Sequence, residues 1–591
     1  MRWRSNSVKN RILLSAALAL VVLGAPLRAS DADAALYQLM DDYWAWFVEV
    51  RPLSAQALGD NRHPDKLDDD SEEAYQAIQD RTAEVLGILY EMDLESLSEA
   101  GRVNYDAFTW MLEKERKTLA TDMRFMPINN MGGWHTNLPG ALMAQSYTSL
   151  KDYQALLKRY KAFGEFADQN IALMQRGMKS GYTQPCETLA GYDQTISGYL
   201  ADDPAKSLFY KPFEQMHPSI TDEQATVLRA AARDEIAGVV LPAYQRFLEF
   251  YENDYLPACR PEIALSSVPG GRAVYDHLLT FYTSLETDAD TVHQLGLDEM
   301  KRIRSAMDAI IEEVGFGGDF QAFLAFLRSD PQFYASSERE YLNHAAWISK
   351  AADGALPGLF AKLPRNPYGI SVIPAHIAPK TTTAFYQPGA IDGTRAGQYF
   401  LNTYKLESRP LYELPALSLH EAVPGHHLQF SFQAENTDLP DWRRAYYFHA
   451  FGEGWGLYSE FLGEEMGMYN TPYELFGRYI YEAWRAARLV VDTGMHAMGW
   501  TRQQAIDYML ANTGLTEQNV ISEIDRYITY PAQATAYKHG ELKIRELRQR
   551  AESALGDRFD LREFHVAVVE DGSMPLVVLE QKIDRWIAAQ R

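Results

Sequence analysis

Apolar residues recur at three- and four-residue spacing through five long stretches of the chain, 34–50, 71–93, 153–179, 221–255 and 287–314. That spacing puts them on one face of a 3.6-residue helix, so each stretch predicts an amphipathic helix. Proline and glycine gather between such stretches, as at 257–269 and 357–367, where they interrupt the pattern. Internal repeats, low-complexity tracts and linkers are not evident. The expected fold is mainly α, one large helical body in one or two lobes, forming a single domain over residues 30–591.

One region breaks the helical period. Residues 370–373, 381–386 and 398–404 are rich in β-branched and aromatic side chains, and turn residues at 379–380 and 388–393 separate them. This predicts a small antiparallel sheet over about 370–404, embedded in the helical body. The first residues differ again. Arg2, Arg4, Lys9 and Arg11 precede an apolar run at 12–24, which is too short to span a bilayer comfortably. Small residues follow, so residues 1–29 are expected to be a secretory signal, cleaved after Ala29 or Ala34. A periplasmic or secreted protein follows from this. With no twin-arginine pair, no cysteine near the cut and no later spanning segment, no stable membrane anchor is expected.

Composition narrows the function classes. Of 591 residues, 47% are hydrophobic and 23% charged, as in ordinary globular proteins. The formal charge of −24 repels phosphate backbones, so no nucleic-acid partner is expected. Such a surface attracts cations but names no ligand. Cys186 and Cys259 are the two cysteines; in an oxidising compartment they either pair or remain as two thiols. Neither has a second cysteine nearby, which argues against a cysteine-based zinc site.

The most informative stretch contains His420-Glu421, Pro424-Gly425 and His426-His427. Two histidines four apart on a helix bind zinc in a familiar protease pattern, with the intervening glutamate as general base. Here the spacing is wider. On a straight helix His426 would sit about 9 Å along the axis from His420 and roughly 240° around it. His427 would share the face of His420 but lie about 10.5 Å away along the axis. Zn–N bonds of about 2.0–2.1 Å allow neither arrangement. Pro424 removes a helical hydrogen bond and Gly425 permits unusual backbone angles, so this pair is expected to bulge the helix and return a second histidine to the metal. Downstream, Glu453 and Glu460 lie seven apart on one helix face, and either could supply a third ligand. The glycines flanking Glu453 are expected to let its helix pack closely on the metal-site helix.

His-Glu-x-x-Pro-Gly-His followed by Glu-Gly-Trp-Gly-Leu-Tyr-Ser-Glu resembles the bacterial family known as domain of unknown function 885. Tyr43-Trp44, Asp392-Gly-Thr-Arg395, Asp492-Thr-Gly-Met-His496 and the stretch from Tyr530 to Tyr537 extend the resemblance over nearly all the chain after the signal. That family in turn is similar to helical zinc peptidases such as thimet oligopeptidase and angiotensin-converting enzyme. The resemblance implies a deep channel, an active-site helix, a ligand glutamate on the next helix and a substrate-binding edge strand upstream. It implies Zn2+ held by His420, His426 and Glu453, because the Gly-His step matches at His426 and the glutamate motif at Glu453. The two-residue widening between the histidines departs from the pattern and keeps His427 and Glu460 as alternatives. A late tyrosine donates to the oxyanion in the related peptidases, and motif order points to Tyr537.

Bound zinc would lower the pKa of its water toward about 7 and polarise the substrate carbonyl. Glu421 would take the water's proton and pass it to the leaving amine. Arg488, Asp492 and His496 repeat every four residues, either as a structural network or as a second layer, with Asp492 orienting a ligand histidine or His496 touching substrate. Asp392 and Arg395 are expected to fix the turn between strands, and Arg395 could grip a substrate carboxylate. The expected function is an exported zinc metallopeptidase that hydrolyses short peptides. The alternatives are a decayed peptide-binding protein on the same scaffold and a zinc hydrolase for a non-peptide amide. A di-iron site needs two Glu-x-x-His pairs; only Glu214–His217 qualifies, with Pro218 directly after it.

Overall fold

The computed structural model describes residues 31–375, 378–389 and 395–591. The expected export signal and the turn residue Asp392 lie outside the described residues. Helices make up most of the rest, and the five periodic stretches fold as expected. Asp31–Val50, Glu72–Tyr90, Leu150–Ser180 and Ala289–Glu313 are helical. Ser71, Ser149 and Asp288 cap the last three, each side chain accepting a first-turn N–H that sets where the helix begins. Over 222–255 the helix continues through two widened turns at 236–240 and 251–255. Pro242 offers no N–H to the carbonyl four residues back, and the first widened turn absorbs that loss.

Strands β1 (Tyr368–Val372), β2 (Ala384–Gln387) and β3 (Gly397–Leu401) form one sheet in the order β1-β3-β2. β2 and β3 run antiparallel, with Tyr386 opposite Tyr399. β1 runs parallel to β3, with Ile370 opposite Tyr399. The sheet is therefore mixed, which corrects the antiparallel expectation. Propensity marks a segment as strand but not the edge it joins; here the chain leaves β1, forms β2 on the far side, and returns to insert β3 between them. A second, two-residue ribbon pairs Ile128–Asn129 with Gly132–Gly133.

Two hydrophobic cores meet around helix α1 (Leu414–Glu421). Leu419 joins a core with Trp44, Phe108, Phe451 and Trp455, while Ala416 and Leu417 join another with Ile303, Phe476 and Val490. All eight residues of α1 are buried. A helix apolar on every side belongs inside a protein, and this one lies at the seam between the cores. Around it stand α2 (His426–Glu435), α3 (His449–Glu465), α4 (Pro472–Ala497) and α5 (Ala536–Leu555). α3 and α5 touch backbone to backbone, because a β-carbon on Gly454 would overlap Gly540. A third core around Trp134, Phe163, Tyr244 and Phe247 draws mainly on residues 128–255, with Leu53 joining it. Beside it Cys186 and Cys259 form a disulfide that closes a 73-residue separation, so the two-thiol alternative is set aside.

Candidate metal centre

α1 ends at Glu421, and the chain turns through residues 422–425 before α2 begins at His426. The Val423–Pro424 peptide is cis. Gly425 N–H donates to the Leu419 carbonyl at 3.0 Å, folding the turn back onto the helix that precedes it. A β-carbon on Gly425 would overlap the His420 carbonyl oxygen, so only glycine fits this return. Trp455 on α3 donates its indole N–H to the Pro424 carbonyl at 2.8 Å and holds the turn from outside. The helix is thus broken into two instead of bulged. The break brings the His420 and His426 rings to 4.8 Å between centroids, perpendicular to each other.

Glu453 on α3 completes the group. One ligand atom from each of His420, His426 and Glu453 lies within 4.8 Å of the other two. Nε2 of His420 and Nε2 of His426 each stand 3.7 Å from Glu453 Oε2. That is too long for a hydrogen bond. It is close to the roughly 3.3 Å that separates donor atoms in a tetrahedral shell with bonds of about 2.0–2.1 Å. Two imidazole nitrogens and one carboxylate oxygen are a common donor set for catalytic zinc. The residues present fit a small dication.

Supporting contacts orient these groups. His420 Nδ1 donates to Glu460 Oε1 at 2.8 Å, which turns Nε2 toward Glu453. Gly456 allows this, since a β-carbon there would press on the His420 ring. Burial opposes protonation of His420, but the Glu453 and Glu460 carboxylates outweigh it and raise its pKa to about 9. Burial also disfavours charge on Glu453, yet the two histidines hold its carboxyl well below the usual range. Of the glycines flanking Glu453, Gly454 meets α5 and Gly452 meets the Tyr447 ring, so neither packs against α1 as expected.

Glu421, the final residue of α1, is buried beside His420. Tyr537, in the first turn of α5, senses the Glu453 charge, and the Arg488 guanidinium lies 4.3 Å from its ring centroid. Burial and Glu453 raise the Tyr537 pKa, so it remains a protonated donor at neutral pH. The close α3–α5 contact carries this tyrosine to the site. Tyr447 was not foreseen from the sequence. Its hydroxyl donates to Glu453 Oε1 at 3.1 Å, but it stands in a short connection before α3, outside any spaced motif.

Other candidates stand elsewhere. His427 points to the sheet side: the Tyr386 hydroxyl donates to its Nδ1 at 2.9 Å, and its Nε2 donates to the Asn366 carbonyl at 3.0 Å. Both ring nitrogens are used, so His426 and not His427 faces Glu453. Glu460 acts behind His420 and not as the third member. Asp492 accepts from Tyr275 and from the Ala532 N–H, and His496 bonds Leu265 N–H and the Tyr527 carbonyl, all within the core. Neither touches a ligand histidine, and their partners fit the structural network, the first of the two readings of this helix face. Arg395 is exposed just before β3.

The family model described as bacterial protein of unknown function (DUF885) matches residues 52–583. A crystal structure from Colwellia psychrerythraea, described as a "putative lipoprotein", superposes with a TM-score of 0.87 at 28% identity, covering 94% of this chain and 99% of that one. Another protein so described, of unknown function, from Shewanella oneidensis, superposes with a TM-score of 0.73 at 16% identity, covering 92% of this chain and 99% of its own. Among curated proteins none matches significantly. Neither solved relative is described as a peptidase, so the expected resemblance to helical zinc peptidases finds no support in these comparisons.

Proposed function

The chain belongs to the bacterial family of unknown function DUF885, and we propose that it is an exported zinc-dependent metallopeptidase acting on short peptides. The carrying observation is the convergence of His420, His426 and Glu453 at 3.7 Å spacings, with Glu421 next in sequence to the first of them. When bound, zinc supplies a water acidified toward about 7 and a Lewis acid for the scissile carbonyl. Glu460 keeps His420 in the tautomer that presents Nε2. Glu421 takes the water's proton and returns it to the leaving amine. Tyr537 donates a hydrogen bond to the oxyanion, since the nearby Tyr447 hydroxyl is already committed to Glu453.

β2 is an edge strand of the sheet, and an extended peptide adds to such an edge through main-chain hydrogen bonds. His420 is 4% exposed and His426 8%, so a folded protein does not reach them whereas a short chain can thread in. Export is supported by the basic, apolar and small-residue start, by the disulfide, and by relatives described as putative lipoproteins. Among the described residues no helix is long and apolar enough to cross a membrane.

The test pairs zinc analysis with digestion of a peptide mixture by wild type and Glu421→Gln. The variant is expected to keep one zinc and to lose about 10²–10⁴-fold in hydrolysis. Cleavage at the wild-type rate would remove Glu421 from the mechanism. Wild type purified without chelators yet lacking zinc would leave a peptide-binding scaffold.

A further inference from the structure

A row of partly exposed aromatic rings runs past the metal centre. Tyr386 on the edge strand packs on Phe430 with centroids 5.9 Å apart, and Phe430 packs on Tyr447 at 5.8 Å with planes only 11° apart. Tyr447 meets His449 at 5.4 Å, His449 meets Tyr282 at 5.4 Å, and Tyr282 meets Tyr530 at 5.6 Å. The row is tied to the site at two points. The Phe430 ring lies 6.1 Å from that of His426, and Tyr447 donates to Glu453. Partly exposed rings on one continuous surface are unusual for a core and usual for a recognition surface.

The tyrosine hydroxyls of the row are already occupied. The Tyr386 hydroxyl bonds His427, that of Tyr447 bonds Glu453, and those of Tyr282 and Tyr530 bond each other. Phe430, at the middle of the row and nearest to His426, carries no polar atom. What remains for a ligand is the exposed part of the rings, which rewards flat apolar groups and disfavours a carboxylate.

From this continuity we infer that the row is the specificity wall of the site and selects peptides carrying an aromatic side chain close to the scissile bond. The inference rests on the peptidase reading for its substrate backbone, but wall and chemistry can be tested apart. Phe430 acts in recognition: the exposed part of its ring meets the substrate's ring, and removing it lowers affinity for aromatic peptides more than for small ones.

The experiment uses two series of tetrapeptides, Ala-Ala-X-Ala and Ala-X-Ala-Ala, with X as Phe, Leu, Ala or Asp. Hydrolysis is measured with the zinc-loaded wild type, and dissociation constants are measured by calorimetry on Glu421→Gln with zinc. In at least one series Phe is expected to exceed Ala by about ten-fold or more in both kcat/KM and affinity, as burial of one aromatic ring suggests. Asp is expected to be worst. Phe430→Ala should abolish the Phe-over-Ala ratio, lowering kcat/KM and affinity far more for the Phe peptide than for the Ala peptide. Phe430→Leu, which preserves apolar bulk, should reduce the ratio only in part and reads the wall if the alanine variant does not fold. Equal binding of Phe and Ala peptides, or a ratio unchanged by both substitutions, overturns the wall. Phe-selective binding without hydrolysis supports the wall and sinks only the catalytic reading.

Discussion

Four buried histidines divide into two kinds. His427 and His496 have both ring nitrogens satisfied by the protein, one accepting and one donating, and burial lowers the pKa of each to about 4. His420 uses one nitrogen to reach Glu460 and turns the other to Glu453 at a distance too long to bond. His426 also turns Nε2 to Glu453, at the same distance. Two imidazole nitrogens and a carboxylate oxygen that converge without bonding one another leave room for a small dication between them. The saturated pair belongs to the architecture. The unsaturated pair belongs to a ligand.

The sharpest way to break this division is His426→Ala beside His427→Ala. The first is expected to abolish zinc retention, weakening it beyond the roughly 10–100-fold typical of losing an outer partner. The second should leave zinc stoichiometry unchanged; zinc loss in both, measured on folded protein, would erase the distinction. His496→Ala strands the Leu265 N–H and the Tyr527 carbonyl and opens a cavity. A stability loss of about 4 kcal/mol in urea unfolding is expected, with zinc per folded molecule intact.

Asp492 probes the structural side by pH. Burial pushes its carboxyl up to about 7, against hydrogen bonds from Tyr275 and the Ala532 N–H. In the unfolded chain it titrates near about 3.9. The folded state therefore holds the proton more tightly, and the stability this lends is complete below about 3.9 and lost as pH rises through about 7. Asp492→Asn keeps both acceptor bonds without the charge. At pH 8 it is expected to gain roughly 4 kcal/mol over wild type, and at pH 4 almost nothing. An equal gain at both values would show that burial of charge is not the cause. The smallest effect is expected for Glu460→Gln, which keeps an acceptor for His420 Nδ1 but removes its charge. Zinc affinity should fall about 10–100-fold in a chelator competition; an unchanged affinity would make Glu460 a bystander.

Much of the site could be read from residue spacing, and the reasons are local. His420 and Glu421 sit at the end of a helix that Pro424-Gly425 stops, so the break was visible even though its form was not: a bulge was expected and two helices are found. Glu453 and Glu460 were both candidates because they are seven apart on one face. Only the Gly456 contact with the His420 ring and the 2.8 Å bond to Glu460 assign one in front of His420 and the other behind it. Tyr447 carried no signal. It belongs to no helix face, and its contact with Glu453 depends on the connection before α3. Asp492 and His496 show the opposite limit: four-residue spacing left a structural network and a role beside the site both open, and their partners Tyr275 and Leu265 tie them into the core.

By itself the sequence determined the helices, their caps, the break at Pro424-Gly425 and the short list of metal-binding side chains. Each depends on groups within a few residues, where backbone geometry leaves few choices. The tertiary structure alone decided which histidine nitrogens remain free, which glutamate meets them, how β1 enters the sheet, and that Cys186 meets Cys259. Those outcomes depend on partners far along the chain, as with His496 and Leu265 at 231 residues apart. Such pairs are set by how two cores close on α1, and no local period encodes that.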